Sequence, residues 1–298
     1  MRPIYIKKTV SGTVFDILNT LFMALFIFVM VYPFYNQLIL SLNEGMDARF
    51  GGIYFWPRKF TFENYTYMIT NSNLGKGALI SILRVVVGTV TTILCSGMLA
   101  YVTTVKWFSG WRFLRVIFLV TMYFSGGLIP TYLWYINLKL LNTFWVYILP
   151  GLFNSYFMLL IAAYMYNLPE ALSESARLDG ASELTIYLKI MVPLCVPVFA
   201  AVAVFSAVGH WNSWFDVMIY NPSGNWDTLQ MHLRRILLGV EQLTKLQNES
   251  QQREAIRKLT PTSVRAATTM IVTLPIVFSY PFLQRYFISG ISIGAIKG

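Results

Sequence analysis

The sequence predicts an all-α protein that crosses a membrane six times. Of its 298 residues, 56% are hydrophobic and only 12% are charged, whereas soluble domains contain about 25% charged residues. Six segments are free of Asp, Glu, Lys and Arg, and each is about as long as the 20 or so residues that span a bilayer as a helix. They lack the alternation of a barrel strand, so the helix is the form that satisfies their backbone in lipid.

Charged residues bound the six predicted spans. The spans lie between Asp16 and Glu44, Arg84 and Lys106, Arg115 and Lys139, Lys139 and Glu170, Lys189 and Asp216, and Arg265 and Arg285. An even number of spans puts both termini on one side of the membrane. Basic residues before the first span favour the cytoplasmic side, although the total Lys and Arg count of the loops does not decide orientation. The predicted parts are a cytoplasmic N-terminus at 1–14, a membrane domain at 15–289 and a cytoplasmic tail at 290–298.

The first apolar run, residues 15–40, follows Lys7 and Lys8 as the core of a signal peptide would. It is much longer than such a core and ends in no small-residue cleavage site, so we expect it to be retained as a span. The loop at 41–77 is predicted to lie outside, with turn residues followed by an aromatic segment at the membrane interface. Arg84, near the start of the second span, is interpreted as a side chain that reaches back to that interface.

A polar segment separates the fourth and fifth predicted spans. This segment, residues 167–193, is called the hairpin below. Pro169 and Glu170 suit the first turn of a helix, and Gly180 breaks that helix. A second helix is predicted to follow, because apolar residues recur at i, i+3, i+4 and i+7. Those residues are Leu184, Tyr187, Leu188 and Met191.

The remaining long loop and the reactive residues of the chain complete the sequence-based description. The distribution of the reactive residues argues against metal, nucleotide and nucleic-acid sites. The loop at 221–262 is the least apolar part of the chain. Its stretch 241–258 alternates both charge signs, and we predict one or two solvated helices there, with a solvated loop as the alternative. The only histidines, His210 and His232, are not at metal-ligand spacing, and no phosphate-binding glycine loop is present. Cys95 and Cys195 lie in apolar segments and are interpreted as packing residues. The formal charge of +10 is scattered over loops, which favours lipid headgroups over nucleic acid.

The hairpin carries a recognisable pattern. The pattern consists of Glu174-Ser175-Ala176, Asp179-Gly180-Ala181, Tyr187, Ile190 and Pro193. It resembles the EAA loop of the permease subunits of binding-protein-dependent ABC importers. Ser175 replaces the second-position Ala of that pattern, and Val192 replaces Leu. The resemblance implies that the hairpin is a cytoplasmic coupling element that docks on an ATPase. The implied docking residues are Glu170, Ala171, Glu174, Ser175, Ala176, Asp179, Gly180, Ala181, Tyr187 and Pro193.

Two further stretches resemble the carbohydrate branch of these importers. Phe60-Thr61-Phe62-Glu63-Asn64-Tyr65 is similar to a segment that follows the first helix in sugar-importer permeases. The C-terminal sequence resembles that of maltose-type permeases, with Arg285 in place of Lys. The residues that carry this resemblance are Tyr280-Pro281-Phe282-Leu283-Gln284-Arg285-Tyr286-Phe287, Gly290, Gly294 and Lys297-Gly298. The resemblance implies a membrane permease domain at 15–289 and a tail that forms a second contact with the ATPases.

The resemblance also implies partners and an energy source. It implies a second, similar permease subunit, most simply in a heterodimer, two ATP-binding subunits that hold ATP and Mg, and an extracytoplasmic solute-binding protein. This chain would then need no cofactor or metal of its own and would lie in a bacterial inner membrane with both termini cytoplasmic. Its implied function is to form half of the pathway for a sugar, an oligosaccharide in this subgroup, with an acidic one among the candidates.

A sugar pathway should offer aromatic faces to the apolar side of the ring and polar groups to its hydroxyls. The end of the fifth predicted helix offers both, with Asn212 and Asp216 one helical turn apart. The competing interpretation is an interfacial belt of tryptophans. The pathway candidates are Tyr123, Tyr132, Asn154, Trp211, Asn212, Trp214 and Asp216.

Two other functions stay open at the level of the residues. A secondary transporter driven by an ion gradient would need paired intramembrane carboxylates or matching broken helices. Asp216 is the one candidate carboxylate for such a site. A membrane-embedded enzyme would need a nucleophile, a base or a metal site, and no such constellation is evident.

Overall fold

The computed structural model describes residues 9–71, 74–244 and 260–295. Within these ranges the chain is helical, and its only extended pairing is a single bridge between Asn43 and Phe60. The predicted N-terminus up to residue 8, loop residues 245–259 and the last three residues lie outside the described part. The described residues divide into two compact units, 9–70 with 236–244 and 260–273, and 71 with 74–235 and 274–295.

The first unit contains α1 (Val10–Ser41), α2 (Gly45–Arg49) and α3 (Glu63–Asn71). Thr9 caps α1, since its hydroxyl oxygen accepts a hydrogen bond from the Gly12 backbone N–H at 3.2 Å. The apolar stretch of α1 is not buried within the chain. A helix that is apolar all round and exposed is suited to lipid or to another membrane subunit.

Polar side chains tie the loop after α1 to the end of that helix. The buried Asn64 amide donates to the backbone oxygens of Ser41 and Asn43, both at 2.9 Å. Tyr65 and Ser41 share a hydrogen bond of 2.7 Å between their hydroxyls, and Thr61 caps α3 through the Glu63 N–H at 3.1 Å. Phe60 and Phe62 of the predicted interfacial segment stay exposed, while Asn64 and Tyr65 close the loop.

The second unit is built around α4 (Leu74–Thr104), which packs chiefly on α7 (Ser155–Tyr166) and α11 (Val196–Asn212). Gly97 permits the close approach of α11, because a Cβ there would lie 2.7 Å from Phe199 Cε1. Cys195 is fully buried in the same core and, like Cys95, is a free thiol. The other helices of this unit are α5 (Trp111–Tyr123), α6 (Leu128–Asn137), α8 (Ala171–Leu178), α9 (Glu183–Ile186), α10 (Val192–Leu194) and α12 (Phe215–Tyr220).

Two long helices contribute residues to both units, α13 (Leu229–Thr244) and α14 (Pro261–Ala295). The predicted solvated helices at 241–258 lie mostly outside the described residues. Helix α13 occupies the preceding part of the loop and is not fully solvated. Leu229, Met231 and Leu233 are buried, because the start of α13 packs on its own unit. The last helix continues through residues 290–295, where the sequence predicted a separate tail.

Three described helices are long and apolar enough to cross a membrane alone: Val10–Ser41, Leu74–Thr104 and Pro261–Phe278. Three helix pairs pass the same test only together. They are Trp111–Tyr123 with Leu128–Asn137, bent by 118°, Phe144–Gly151 with Ser155–Tyr166, bent by 42°, and Glu183–Leu194 with Val196–Asn212, bent by 80°. The third, fourth and fifth predicted spans are therefore broken, where the sequence predicted continuous helices.

The break in the third predicted span has a local cause. Gly127 takes a φ of +85°, a conformation that side chains with a Cβ rarely adopt. No helix can pass through that residue, so α5 ends before it and α6 starts after it.

Candidate functional site

The hairpin forms a helix, a tight turn and a second helix. Glu170 is the N-terminal flanking residue of α8, directly after Pro169, as predicted. Gly180 ends the turn with a φ of +83°, and its N–H donates to the Arg177 carbonyl at 3.0 Å. The Ala181 N–H donates to the Ala176 carbonyl at 2.9 Å. This pattern satisfies the carbonyls at the end of α8 and turns the chain back.

Glu183, just after the turn, is a junction of hydrogen bonds. Its carboxylate accepts from Arg177 Nε at 2.7 Å, from Trp107 Nε1 at 3.3 Å and from the Tyr101 hydroxyl. Donating to the Glu183 carboxylate raises the pKa of the Arg177 guanidinium, which therefore keeps its charge. Glu183 thus ties α8 to the end of α4 and to the loop after it.

None of the four residues of this junction was among the predicted site residues. The usable sequence signal was the pair of opposite charges, Arg177 and Glu183, on either side of Gly180. Tyr101 and Trp107 lie more than 70 residues earlier, so only the folded chain brings them to the carboxylate.

A second ion pair fixes the start of the hairpin. Lys106 Nζ lies 2.9 Å from Glu170 Oε2, with both side chains largely exposed. The hydrogen bond that Lys106 donates to the Glu170 carboxylate raises the pKa of Lys106. Exposed pairs of this kind contribute little to stability, so this contact orients the loop more than it stabilises it.

The outer face of α8 is open. Leu178 is 86% exposed, and Glu174, Ser175, Asp179 and Ala171 are also exposed. The Glu174 carboxylate has no hydrogen bond or ion pair within the described ranges. The inner face carries the buried Ala176. An apolar tip beside a free carboxylate offers another protein both packing and polar contacts.

The second helix of the hairpin packs differently from its predicted apolar face. Leu184 and Leu188 are more than half exposed, while Ile186 is fully buried. Tyr187 is buried and lies 5.3 Å from Tyr101, centroid to centroid. The segment Tyr187–Met191 is a π-helix, which has more residues per turn than an α-helix and so shifts the face that the following residues present. The predicted set of Leu184, Tyr187, Leu188 and Met191 is therefore only half correct.

A cleft of about 310 Å³ lies between the hairpin and the ends of α4 and α7. Charged and aromatic side chains line it, among them Tyr101, Lys106, Trp107, Glu170 and Arg177. The junction of Glu183 therefore borders open space. Pro193 is exposed at the far end of the hairpin.

A buried polar cluster lies elsewhere in the same unit. Arg84 is only 3% exposed and pairs with Asp216, with a second contact from Nη1 to Oδ1 at 3.3 Å. Arg84 also lies over the Tyr147 ring at 4.6 Å, and its Nε lies 3.4 Å from His210 Nδ1. The interpretation of Arg84 as a side chain reaching for the interface is wrong, because its charge is neutralised inside the chain.

The pathway candidates of the fifth predicted helix do not lie on one helix. α11 ends at Asn212, Ser213 is extended with a ψ of 121°, and α12 begins at Phe215. Asn212 and Asp216 are therefore not one helical turn apart, as the sequence predicted. Ser213 donates to Asp216 Oδ1 at 2.8 Å, so the break is held by the carboxylate that follows it.

The other pathway candidates differ in their contacts. Tyr123 is 79% exposed, and Tyr132 lies 6.2 Å from Tyr220, ring to ring. Asn154 caps α7, since its side-chain oxygen accepts from the Phe157 N–H at 3.0 Å. Trp214 lies under Arg234, and Trp211 is half-buried. A second cavity of about 400 Å³ is lined by Leu83, Val87, Asn142, Thr143, Phe144, Trp145 and Trp226.

Curated relatives match nearly the whole chain, among them the following three. The protein LplC of Bacillus subtilis is 34% identical over 292 residues, covering 98% of this chain and 97% of LplC. The polygalacturonan/rhamnogalacturonan transport system permease YtcP of B. subtilis is 30% identical, covering 97% of this chain and all of YtcP. The arabinooligosaccharides transport system permease AraQ of Halalkalibacterium halodurans is 29% identical, covering 98% of this chain and all of AraQ.

The fold is shared with solved structures, among them an ABC importer. A chain of a bacterial ABC transporter involved in the import of the acidic polysaccharide alginate superposes with a TM-score of 0.81 at 24% identity. The match covers 96% of this chain and all of that chain. No protein-family model matches the sequence.

Proposed function

We propose the role of this chain from one premise: it belongs to the permease subunits of ABC sugar transport systems. As such a subunit it is an integral membrane protein of an importer. In the proposed assembly it forms half of the pathway for an oligosaccharide. The observation that carries the proposal is the match to sugar permeases over nearly the full length of both chains.

The proposed topology has six spans, counting each bent pair as one. The permease domain then extends over 15–289, with outer loops at 41–77 and 221–262. Both termini, at 1–14 and 290–298, and the hairpin at 167–193 lie in the cytoplasm. Basic residues at the N-terminus and in the loop after α4 support this orientation.

The hairpin is the proposed coupling element. Its open face, with Glu174 and Leu178, would meet a cytoplasmic ATP-binding subunit, while its inner side is held to α4 through Glu183. If that subunit displaced α8, the contacts of Glu183 would displace α4 as well, while the hydrogen bonds of the turn at Gly180 stay intact. This division between an open face and an anchored face supports the coupling assignment.

The proposed partners are a second permease subunit, two ATP-binding subunits with ATP and Mg, and an extracytoplasmic solute-binding protein. Hydrolysis belongs to the ATP-binding subunits, and this chain needs no cofactor of its own. An oligosaccharide substrate is supported by the names of the relatives YtcP and AraQ. The aromatic candidates at the break after α11 and the cavity beside Trp145 and Trp226 are proposed to contact the sugar.

The experiment compares two energy sources. The assembled complex is placed in proteoliposomes with its binding protein and a labelled oligosaccharide. Uptake should require ATP hydrolysis and should stop when ATP is depleted, even while an ion gradient is held. Uptake that persists on a gradient without ATP would overturn the proposal and favour a secondary transporter.

A further inference from the structure

Arg234 and Trp214 form a stacked pair that the coupling and packing roles do not use. The guanidinium carbon of Arg234, on α13, lies 3.6 Å from the centroid of the Trp214 ring. Trp214 stands in the break between α11 and α12. A cation over an indole face is attracted by the ring and held in a defined plane.

The charge of Arg234 has no counter-ion within the described ranges. No carboxylate lies within 4.0 Å of it, and its Nε is buried without a hydrogen-bond partner. Its neighbour Arg235 pairs with Asp227 at 2.9 Å, and Arg84 pairs with Asp216. The two nearby carboxylates are therefore already paired.

A stacked arginine without a counter-ion is preorganised to bind an anion. Stacking fixes the guanidinium plane and leaves its N–H edges free, and a planar guanidinium matches a carboxylate through two parallel hydrogen bonds. A desolvated N–H without an acceptor is costly until such a partner arrives. The indole beneath it also offers an apolar surface, which suits a ring that carries the carboxylate.

We propose that Arg234, held over Trp214, binds the carboxylate of a uronic acid unit in an acidic oligosaccharide. This rests on the proposed function and on its orientation, which puts α13 on the outer side, where the binding protein releases the sugar. The relative YtcP, matched over its whole length, is named for polygalacturonan, a polymer of such units. Arg234 would then determine specificity between acidic and neutral sugars.

The experiment uses two probes that differ only in charge. They are α-1,4-linked trigalacturonate and the neutral trimer made by reducing its carboxylates. ATP-dependent uptake of both is measured in proteoliposomes that contain the complete complex and a saturating amount of binding protein. The variants are R234Q and R234K, and the matched control is R112Q, which removes another arginine stacked on a tryptophan, 5.1 Å over Trp111.

R234Q should lower kcat/KM for trigalacturonate about tenfold or more, mainly through KM, because a charge-assisted contact is lost. Uptake of the neutral trimer should stay within about twofold, which also shows that the variant is folded. R234K should retain part of the preference, since Lys keeps the charge but not the paired geometry. R112Q should leave both trimers unchanged.

Equal losses for both trimers, or no loss for trigalacturonate, would overturn the assignment of Arg234 while leaving the proposed function intact. If the complex does not carry the neutral trimer, stimulation of ATP hydrolysis by trigalacturonate is the readout, and basal hydrolysis reports folding. An unchanged stimulation constant in R234Q would then overturn the assignment. Absence of any ATP-dependent uptake in the unmodified complex would overturn the proposed function itself.

Discussion

Arg84 and Asp216 hold opposite charges at the ends of two segments that the sequence assigns to the membrane. An isolated charge in such surroundings costs several kcal/mol, so charged residues there pair with one another. The Asp216 carboxylate also accepts from the Ser213 hydroxyl and the Val217 N–H, and Arg84 adds a contact with the Tyr147 ring. The pair therefore joins α4 to the break between α11 and α12.

Removing one partner of this pair should be costly. We expect Arg84→Gln to lower the free energy of unfolding by about 3–5 kcal/mol, because Asp216 is left as an uncompensated charge. Thermal unfolding of the detergent-purified complex measures it. Lys59→Gln is the control, since Lys59 pairs with Glu44 at 2.9 Å on an exposed surface, and its loss should lower the free energy of unfolding much less. Similar unfolding of the two variants would contradict the assigned role of the buried pair.

Glu183 is the second residue whose charge organises its surroundings. Glu183→Gln keeps the shape of the side chain but removes the ionic partner of Arg177. We expect ATP hydrolysis by the complex to continue while uptake per ATP falls several-fold, because α8 is less firmly tied to α4. Parallel assays of hydrolysis and uptake measure this ratio. Glu63→Gln, a change of an exposed carboxylate in α3, should leave the ratio unchanged, and a normal ratio in Glu183→Gln would count against the junction.

At the scale of elements, the breaks matter as much as the helices. α5 and α6 are separated at Gly127, α11 and α12 at Ser213, and the hairpin turns at Gly180. Each break gives up backbone hydrogen bonds, which side chains or turn geometry must replace in a membrane. The hairpin satisfies its own carbonyls through its turn, and this allows it to move as one piece.

The turn at Gly180 provides a test of that rigidity. Gly180→Ala meets no atom within 4 Å but forces a residue with a Cβ into a φ of +83°, which costs about 1–2 kcal/mol. We expect a lower ratio of uptake to hydrolysis. Gly209→Ala is the matched control, because its Cβ would also meet open space but its φ is not positive. An equal effect of the two changes would show that the turn conformation is not what matters.

At the scale of the whole molecule, the exposed surface of α1 indicates that the chain functions in contact with lipid or with other subunits. The apolar side chains of α1 are mostly more than half exposed, including Phe22, Phe26 and Met30. A contiguous apolar surface of this kind needs lipid or a protein partner. The hairpin likewise presents Leu178 outward, where water would be unfavourable.

The chain alone should therefore not transport. We expect no oligosaccharide uptake in proteoliposomes that contain this subunit without the second permease subunit, because half of the pathway is missing. Uptake should appear when the second permease, the ATP-binding subunits and the binding protein are added together. Gradient-driven uptake by the single chain would contradict this expectation.

Local residue chemistry was sufficient for several predictions. The start of α8 beside Pro169, the turn at Gly180 and the packing role of Cys195 follow from propensities that act within a few residues or from apolar context. The predicted family is also confirmed by the relatives that match it. The docking and pathway residues stay predictions, since their test lies in an assembled complex.

Composition and periodicity by themselves determined that this chain is helical, belongs in a membrane and turns at a polar hairpin, because those properties depend on neighbouring residues and on their transfer to lipid. The tertiary structure decided which charges pair and where the helices break. Arg84 meets Asp216 across 132 positions, and Tyr101 meets Glu183 across 82. Such contacts have no local signature, because the free energy that fixes them comes from burial of the pair and not from the residues beside each member.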